Sequence, residues 1–313
     1  MNFLFAKEVG FIRYVARRCF WRAMRLAGCG DCLLRLPNGV VFPVSRKSFC
    51  AADIYVTGGT LDWGTEWILA AYLCRRSNSV FVDVGANIGY YSALLSPYIA
   101  KGYAFDPDPR NLEALARLHV RHPQIEVIPM AVCEQDGTAA FTPGEESSLS
   151  SLGGEGPSTF SVPCVTLDKF FATKTDDVAA LKIDIEGFDV MALKGAIQMI
   201  QRCRPVVAME FSIETGKPNS VNALLSLSEE LRMDLYAIVR LDQSMWRCSY
   251  EFAPLTPDTV QSEWFKMVLL VPREDSLFPE LMRSLPVRWS SSLLAGVSGQ
   301  GIQAAFLRGR VNL

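Results

Sequence analysis

Four apolar segments of the 313-residue chain end in an acid: Val80-Phe-Val-Asp83, Gly102-Tyr-Ala-Phe-Asp106, Ala180-Leu-Lys-Ile-Asp184 and Pro205-Val-Val-Ala-Met-Glu210. A carboxylate at the tip of a buried strand is costly unless it is paired or hydrated. Four at equivalent ends point to a site lined with carboxylates. The first acid opens the run Asp83-Val-Gly85-Ala86-Asn87-Ile-Gly89. Its glycines let the backbone turn tightly and approach a ligand closely, and Asn87 tolerates the left-handed region better than most residues. The run is not the dinucleotide fingerprint G-x-G-x-x-G. Asp83 would repel a pyrophosphate and favour a cofactor carrying an ammonium or sulfonium. Asp106 follows Gly85 by 21 residues, where an acid can accept hydrogen bonds from a ribose diol. Together these features select a cationic nucleoside over a nicotinamide dinucleotide.

Lys182, Asp184 and Glu186 alternate and would share one face at the end of their strand. They read either as an ion-pair cluster or as a base and orienting carboxylates beside a reacting group. Asp184 is the first candidate for the base, Glu186 the second and Glu210 the third. The only histidines, His119 and His122, flank a helix end, so neither histidine catalysis nor a histidine-rich metal site is expected, and no metal ligands are assigned.

The elements that must position these acids follow from hydrophobic patterning. Strands are expected at 80–84, 102–106, 125–129, 180–185, 205–210, 235–239 and 267–271, with helices near 63–73, 90–95, 111–119, 188–200 and 222–231. Such alternation implies an α/β fold with a mostly parallel, doubly wound, seven-stranded sheet. Between the third and fourth strands, 137–141 and 160–165 read as an inserted hairpin around a polar loop, Ser147–Gly154. Residues 1–60 form an N-terminal segment and 61–272 the main domain, followed by a C-terminal extension, 273–313. Within the first segment, Asn38-Gly39 between apolar runs signals a hairpin. Residues 2–27 read as one helix with six basic residues against Glu8 alone. Val9, Ile12, Ala16, Cys19 and Ala23 share one face. The helix is then either a cover helix with its arginines in water or a contact with an anionic membrane surface.

A formal net charge of -2 gives no reason to expect nucleic acid as a partner. Nine scattered cysteines suggest a reducing compartment rather than a disulfide framework, and Cys29-Gly-Asp-Cys32 lacks a second pair for a zinc ribbon. Charges interrupt the N-terminal apolar runs before a signal peptide can form. Trp289–Leu307 is uncharged but too rich in glycine and serine for a membrane span. The expectation is a cytoplasmic protein, either free or peripheral to the inner membrane face.

The sequence resembles the FkbM family of methyltransferases over roughly residues 60–240. The matching runs are Asp83-Val-Gly-Ala-Asn-Ile-Gly-Tyr-Tyr-Ser92, Phe105-Asp-Pro-Asp-Pro-Arg-Asn111, Val165-Thr-Leu-Asp-Lys-Phe170 and Leu181-Lys-Ile-Asp-Ile-Glu-Gly-Phe-Asp189, with Glu66, Ser148 and Leu149 at further family positions. The resemblance implies a Rossmann-like class I methyltransferase fold and S-adenosylmethionine-dependent O-methylation of a sugar, glycan or natural product. On that reading Glu66, Asp83, Gly85, Ala86, Asn87, Gly89, Asp106 and Pro107 bind the cofactor, and Asp184, Glu186 and Glu210 are catalytic. Many members carry a histidine where this chain has Phe188, so no role for it is carried over. A basic N-terminus suggests an acceptor that is lipid-linked. The rivals are an amino-group methyltransferase, whose usual [DN]-P-P-[FY] is replaced by Asp184-Ile-Glu-Gly187, a nicotinamide-dependent oxidoreductase, and a non-catalytic module that keeps the cofactor fold.

Overall fold

The structure is a computed structural model that describes residues 4–28, 30–144, 151–152, 158–211, 221–244, 247–256, 259 and 264–284. Cys29, Ser148, Leu149, most of the polar loop and all of 285–313 lie outside the described residues.

The chain opens with α1 (Leu4–Val9) and α2 (Phe11–Leu26), the strands β1 (Asp31–Arg35) and β2 (Val41–Ser45), and the helices α3 (Phe49–Thr57) and α4 (Thr65–Leu73). The alternating part runs β3 (Val80–Val84), α5 (Tyr90–Leu95), β4 (Lys101–Phe105), α6 (Pro109–Arg121) and β5 (Ile125–Ile128). A small sheet follows, with β6 (Ala131–Val132), β7 (Gly137–Thr142), β8 (Ser151–Leu152) and β9 (Phe160–Val165). Then come α7 (Leu167–Phe170), β10 (Val178–Ile183), α8 (Asp189–Lys194), α9 (Ile197–Cys203), β11 (Val206–Glu210), α10 (Val221–Glu230), β12 (Met233–Ser244), β13 (Arg247–Pro254), β14 (Trp264–Pro272) and a last helix, Leu277–Ser284.

The main sheet has the order β13-β12-β14-β11-β10-β3-β4-β5. Its strands from β11 to β5 are parallel, and β14 is antiparallel between β11 and β12. All seven expected strands are present. The eighth, β13, was not anticipated: β12 runs on to Ser244 and folds back as an antiparallel hairpin. Because β3 and β10 are neighbours, the crevice between their carboxyl ends is the switch point at which ligands bind in such sheets.

Buried, near-continuous apolar strands are what a sheet covered on both faces requires. One layer gathers Phe81, Ala104, Ala180 and Ala208 against α4 to α6 and the N-terminal elements. The other gathers Val80, Val82, Val84, Leu181 and Val207 against α7 to α10.

The small sheet has the order β6-β9-β7-β8, and β7 and β9 form the anticipated antiparallel pair. A disulfide joins Cys133 to Cys164, with 6.0 Å between Cα atoms. The scattered cysteines gave no sign of this pair: residues 31 apart in sequence meet only because β6 lies beside β9.

Two expected helices are each broken in two. The first breaks at Gly10, whose φ of 88° lies outside the helical region and redirects α1. The other breaks at Gly195, where a side chain would press to 2.1 Å from the Cys133 carbonyl oxygen. Asn38-Gly39 makes the turn between β1 and β2 as anticipated.

Candidate active site

The β3–α5 loop is held by its own backbone. The Gly85 and Ala86 N–H groups donate to the Phe105 carbonyl at 3.0 and 2.9 Å. Gly85 has φ 75°, and a Cβ there would lie 2.0 Å from the Asp184 carbonyl oxygen. Glycine at this point is therefore dictated by contact with the β10 tip. Gly89, at φ 87°, starts α5, and a Cβ there would meet the Leu115 and Leu118 side chains of α6.

Asp83 is fully buried behind this loop. Its Oδ2 accepts hydrogen bonds from the Ser92 N–H and hydroxyl at 3.1 and 2.7 Å, fastening the first turn of α5. Its Oδ1 lies 3.9 Å from the Lys182 ammonium and accepts no hydrogen bond. Burial raises its pKa, with Lys182 and Ser92 opposing. Glu66 is also fully buried and accepts the N–H groups of Asp62 and Gly64 at 2.8 and 3.2 Å. These bonds secure a turn with positive φ at Trp63 and Gly64. Burial and the nearby Asp62 push the Glu66 carboxyl up to about 8.

In front of these residues lies a cavity of about 460 Å³, walled by Gly85, Ala86, Asn87, Asp106 and Pro107 on one side and by Lys182, Asp184, Glu186, Glu210 and Lys266 on another. Asp53, Asp62, Tyr90 and Tyr91 complete its polar wall, and Phe5, Phe49 and Phe141 are among its apolar lining. Asp83, Glu66 and Gly89, anticipated at the cofactor, do not line it. Each instead supports a segment that does.

Asp106 organises the β4–α6 turn. Its Oδ2 accepts from the Asn87 N–H at 2.8 Å and its Oδ1 from the Asp108 N–H at 2.9 Å, while the Asn111 amide reaches both oxygens at 3.1 Å. Burial pushes the carboxyl up to about 7 despite these donors. Asp108 in turn caps α6 by accepting from the Arg110 N–H.

The charged cluster lies at the tips of β10 and β11. Lys182 Nζ is 3.1 Å from Asp184 Oδ2. On the antiparallel strand β14, Lys266 reaches Asp62 at 2.5 Å, and Tyr91 donates to the other Asp62 oxygen at 2.8 Å. Burial works against ionisation of Asp184, but Lys182 and Lys266 outweigh it and hold this carboxyl below its ordinary range. The Asp184 charge, then burial, push Glu210 far up, and the two carboxyls share a hydrogen bond. Two adjacent acids with their pKa values pushed apart in this way are suited to sharing one proton.

The strand ends at Ile183, so alternation does not place Glu186 as anticipated. Glu186 has φ 54° and Gly187 φ 94°, and Asp189 fixes this turn by accepting the N–H groups of Ile185 and Gly187. The turn brings Glu186 back so that carboxylate oxygens of Asp184, Glu186 and Glu210 lie within 4.8 Å of one another. That set has the hard oxygen chemistry a divalent cation takes, and the two lysines also supply positive charge there.

Asp62, Lys266, Tyr90 and Tyr91 were missed in the sequence. Tyr90 and Tyr91 lie inside the run from Asp83 to Ser92, whereas Lys266 and Asp62 lie 204 residues apart and meet only through the antiparallel return of β14. His119 and His122 are absent from the cavity wall and contact Ile125 and Ser96.

The family model of the FkbM methyltransferase domain matches residues 83–252. No curated protein matches the chain. Among solved structures, the FkbM methyltransferase of Methylobacillus flagellatus is 19% identical, with a TM-score of 0.39 over 64% of this chain and 47% of that one. This chain therefore spans less than half of that relative. An rRNA methylase from Streptococcus thermophilus is 16% identical over 66% and 93% of the two chains, with a TM-score of 0.37. The fibrillarin of Aeropyrum pernix, solved with natively bound S-adenosyl-L-methionine, is 13% identical over 67% and 76%, also at 0.37. With its family model covering more than half of the residues and its sheet in the class I order, the chain belongs to the FkbM family of S-adenosylmethionine-dependent methyltransferases.

Proposed function

We propose that the cavity binds S-adenosylmethionine beside the β3–α5 loop and that the enzyme methylates a hydroxyl of a sugar, glycan or natural-product acceptor. The observation that carries the acceptor chemistry is the close approach of the Asp184 and Glu210 carboxyls at the cavity wall, where the Asp184 charge pushes the Glu210 carboxyl up so that the two would share a proton. A hydroxyl acceptor must lose a proton as it is methylated, whereas an amine can be methylated first and lose its proton afterwards.

The residues present fit the cofactor. Gly85, Ala86 and Asn87 offer a close backbone edge, Asp106 with Pro107 faces the place of a ribose diol, and the acids at the strand tips suit a cation. Asn111 spreads its amide over both Asp106 oxygens, so it is the donor that a diol would displace. Asp83, Glu66 and Gly89 act from behind, through Ser92, the Asp62 turn and the packing of α5. When bound, the cofactor supplies an electrophilic methyl group on a sulfonium.

Asp184 accepts the acceptor hydroxyl's hydrogen bond and orients its oxygen toward that methyl. Its low pKa makes it a weak base for a resting hydroxyl. That suffices late in the reaction, because a hydroxyl oxygen becoming bonded to a methyl group turns strongly acidic. Glu210 keeps its proton and shares it with Asp184, and Lys182 and Lys266 hold the pair in place. Glu186, on its turn, orients the acceptor.

The test is incubation with methyl-labelled cofactor and fractionated small-molecule and glycan acceptors, followed by mass spectrometry of the product. A label on oxygen supports the reading; a label on nitrogen replaces it with amino-group methylation. Binding of the cofactor without transfer to any fraction would favour the non-catalytic module.

A further inference from the structure

We propose that the outer face of α2 docks on an anionic lipid bilayer. The helix is two-faced in the opposite sense from a cover helix. Tyr14 and Trp21 are buried, and the Trp21 and Tyr55 rings lie 5.2 Å apart. On the same inner side Arg17 donates to the Val56 carbonyl at 2.9 Å, and Arg18 pairs with Asp53 at 2.5 Å. The apolar stripe faces out: Ile12 is 85%, Leu26 75% and Phe20 52% exposed, with Val15, Ala16, Cys19 and Ala23 exposed as well. At 3.6 residues per turn, Ile12, Val15, Cys19, Ala23 and Leu26 form one band, with Arg13 and Arg22 on its two flanks. Arg13, Arg22 and Arg25 are exposed and form no ion pair among the described residues.

The arginines decide what covers this face. A second copy docking the same way would set arginine against arginine. The chain's own residues 285–313 contain three arginines and no acid, which is again the wrong charge. A bilayer with anionic headgroups accepts apolar side chains at the acyl boundary and arginines at headgroup depth. Among the described residues no helix is long and apolar enough to cross a membrane, so the contact lies in the interface plane.

The placement has a consequence for the cavity. Asp53, the partner of Arg18, is a cavity wall residue, as are Phe5 of α1 and the half-exposed Phe49 of α3. Docking of α2 would thus keep this part of the cavity wall close beneath the membrane surface, where an acceptor carried on a lipid is held. That consequence rests on the methyltransfer reading of the cavity, whereas the docking itself does not.

The test is cosedimentation of the full chain with phosphatidylcholine vesicles, with and without phosphatidylglycerol, over a salt series. Binding is expected only with phosphatidylglycerol and should weaken as salt rises. The double substitution Ile12→Glu and Leu26→Glu should cut it about tenfold or more, at unchanged melting temperature, since neither side chain is packed. Arg22→Glu with Arg25→Glu should cut it to a similar degree. Several results would overturn the proposal. One is indifference to phosphatidylglycerol. Another is undiminished binding by the Ile12/Leu26 variant. A third is a wild-type dimer, by light scattering, that this variant dissociates without change in vesicle binding. Because no cofactor or acceptor is present, the outcome is independent of whether methyl transfer to oxygen is correct.

Discussion

Two buried acid–base clusters in this molecule look alike in composition and differ in what they face. At the strand tips, Lys182, Asp184, Glu210 and Lys266 stand on the wall of the cavity. Near the other edge of the sheet, Glu8 of α1 meets Arg240 of β12 at 3.4 Å and accepts the Trp63 indole N–H at 3.1 Å. Both side chains of that ion pair are essentially sealed from solvent, and neither lines the cavity. Burial pushes Glu8 up to about 7, against the pull of Arg240 and Trp63. A perturbed carboxyl is therefore not by itself the mark of a catalytic site. What separates the two is space for a substrate and a second acid with which to share a proton.

The largest expected effect breaks the comparison on the cavity side. Asp184→Asn keeps the shape and removes the proton acceptor. Turnover of labelled cofactor should fall by ~10²–10⁴-fold, with cofactor affinity by calorimetry largely kept. Near-normal turnover would remove Asp184 from catalysis. Lost affinity with turnover intact at saturation would make it a cofactor ligand instead.

On the sealed side the loss should appear in stability and not in chemistry. Glu8→Ala strips the buried Arg240 guanidinium of one of its two carboxylate partners and leaves Asp242 at 3.0 Å, a change expected to cost about 1–3 kcal/mol, the scale of a buried polar group that loses a partner. Urea unfolding would measure it. Cofactor affinity per folded molecule should stay within error. A stable variant with failed binding would instead join α1 to the cavity's function.

A smaller effect is expected at the ribose wall. Asp106→Ala should weaken cofactor binding by ~1–3 kcal/mol, the scale of hydrogen bonds to a charged group. Since Asp106 also holds Asn87, Asp108 and Asn111, Asn111→Ala separates direct contact from loop support. It removes only one donor and frees the Asp106 oxygens. Affinity unchanged or raised in Asn111→Ala, but lowered in Asp106→Ala, fits direct contact. Equal losses in both fit loop support.

The parts that could be read in advance were those governed by neighbours in sequence. Buried strands and their acidic tips follow from runs such as Val80–Val84 and Val178–Ile183. The loop glycines follow from the need for positive φ at Gly85 and Gly89. Distance in sequence hid the rest. Asp62 meets Lys266 only after β14 has returned antiparallel between β11 and β12. Cys133 meets Cys164 only once β6 lies beside β9. The pattern of α2 was legible but its orientation was not, because periodicity says that a helix has two faces and only packing says which is covered. Here the inner face is built from Tyr14, Trp21 and the arginines that reach α3.

The subtlest effect tests the two clusters through pH. Glu8 titrates in the folded protein near 7, above its ordinary 4.5. The folded state then binds more protons than the unfolded state between those values. Stability from this group is fully present below about 4.5 and is lost as pH rises through 7. Glu66 and Asp106, raised to about 8 and about 7, act in the same direction. Asp184 acts in the other: its lowered value contributes stability that is present above the ordinary carboxylate range and is lost only as acid protonates it. The melting temperature without cofactor should therefore fall between pH 5.5 and pH 8. Glu8→Gln, which keeps a neutral side chain of the same shape, should flatten part of that fall by removing one titrating group, and Asp184→Asn should flatten it as well, because Glu210 then loses the charge that raises it most. Calorimetry across the pH series checks both variants. A Glu8→Gln profile that falls as steeply as wild type would mean that Glu8 is ionised in the folded state, held by Arg240 more strongly than burial opposes it.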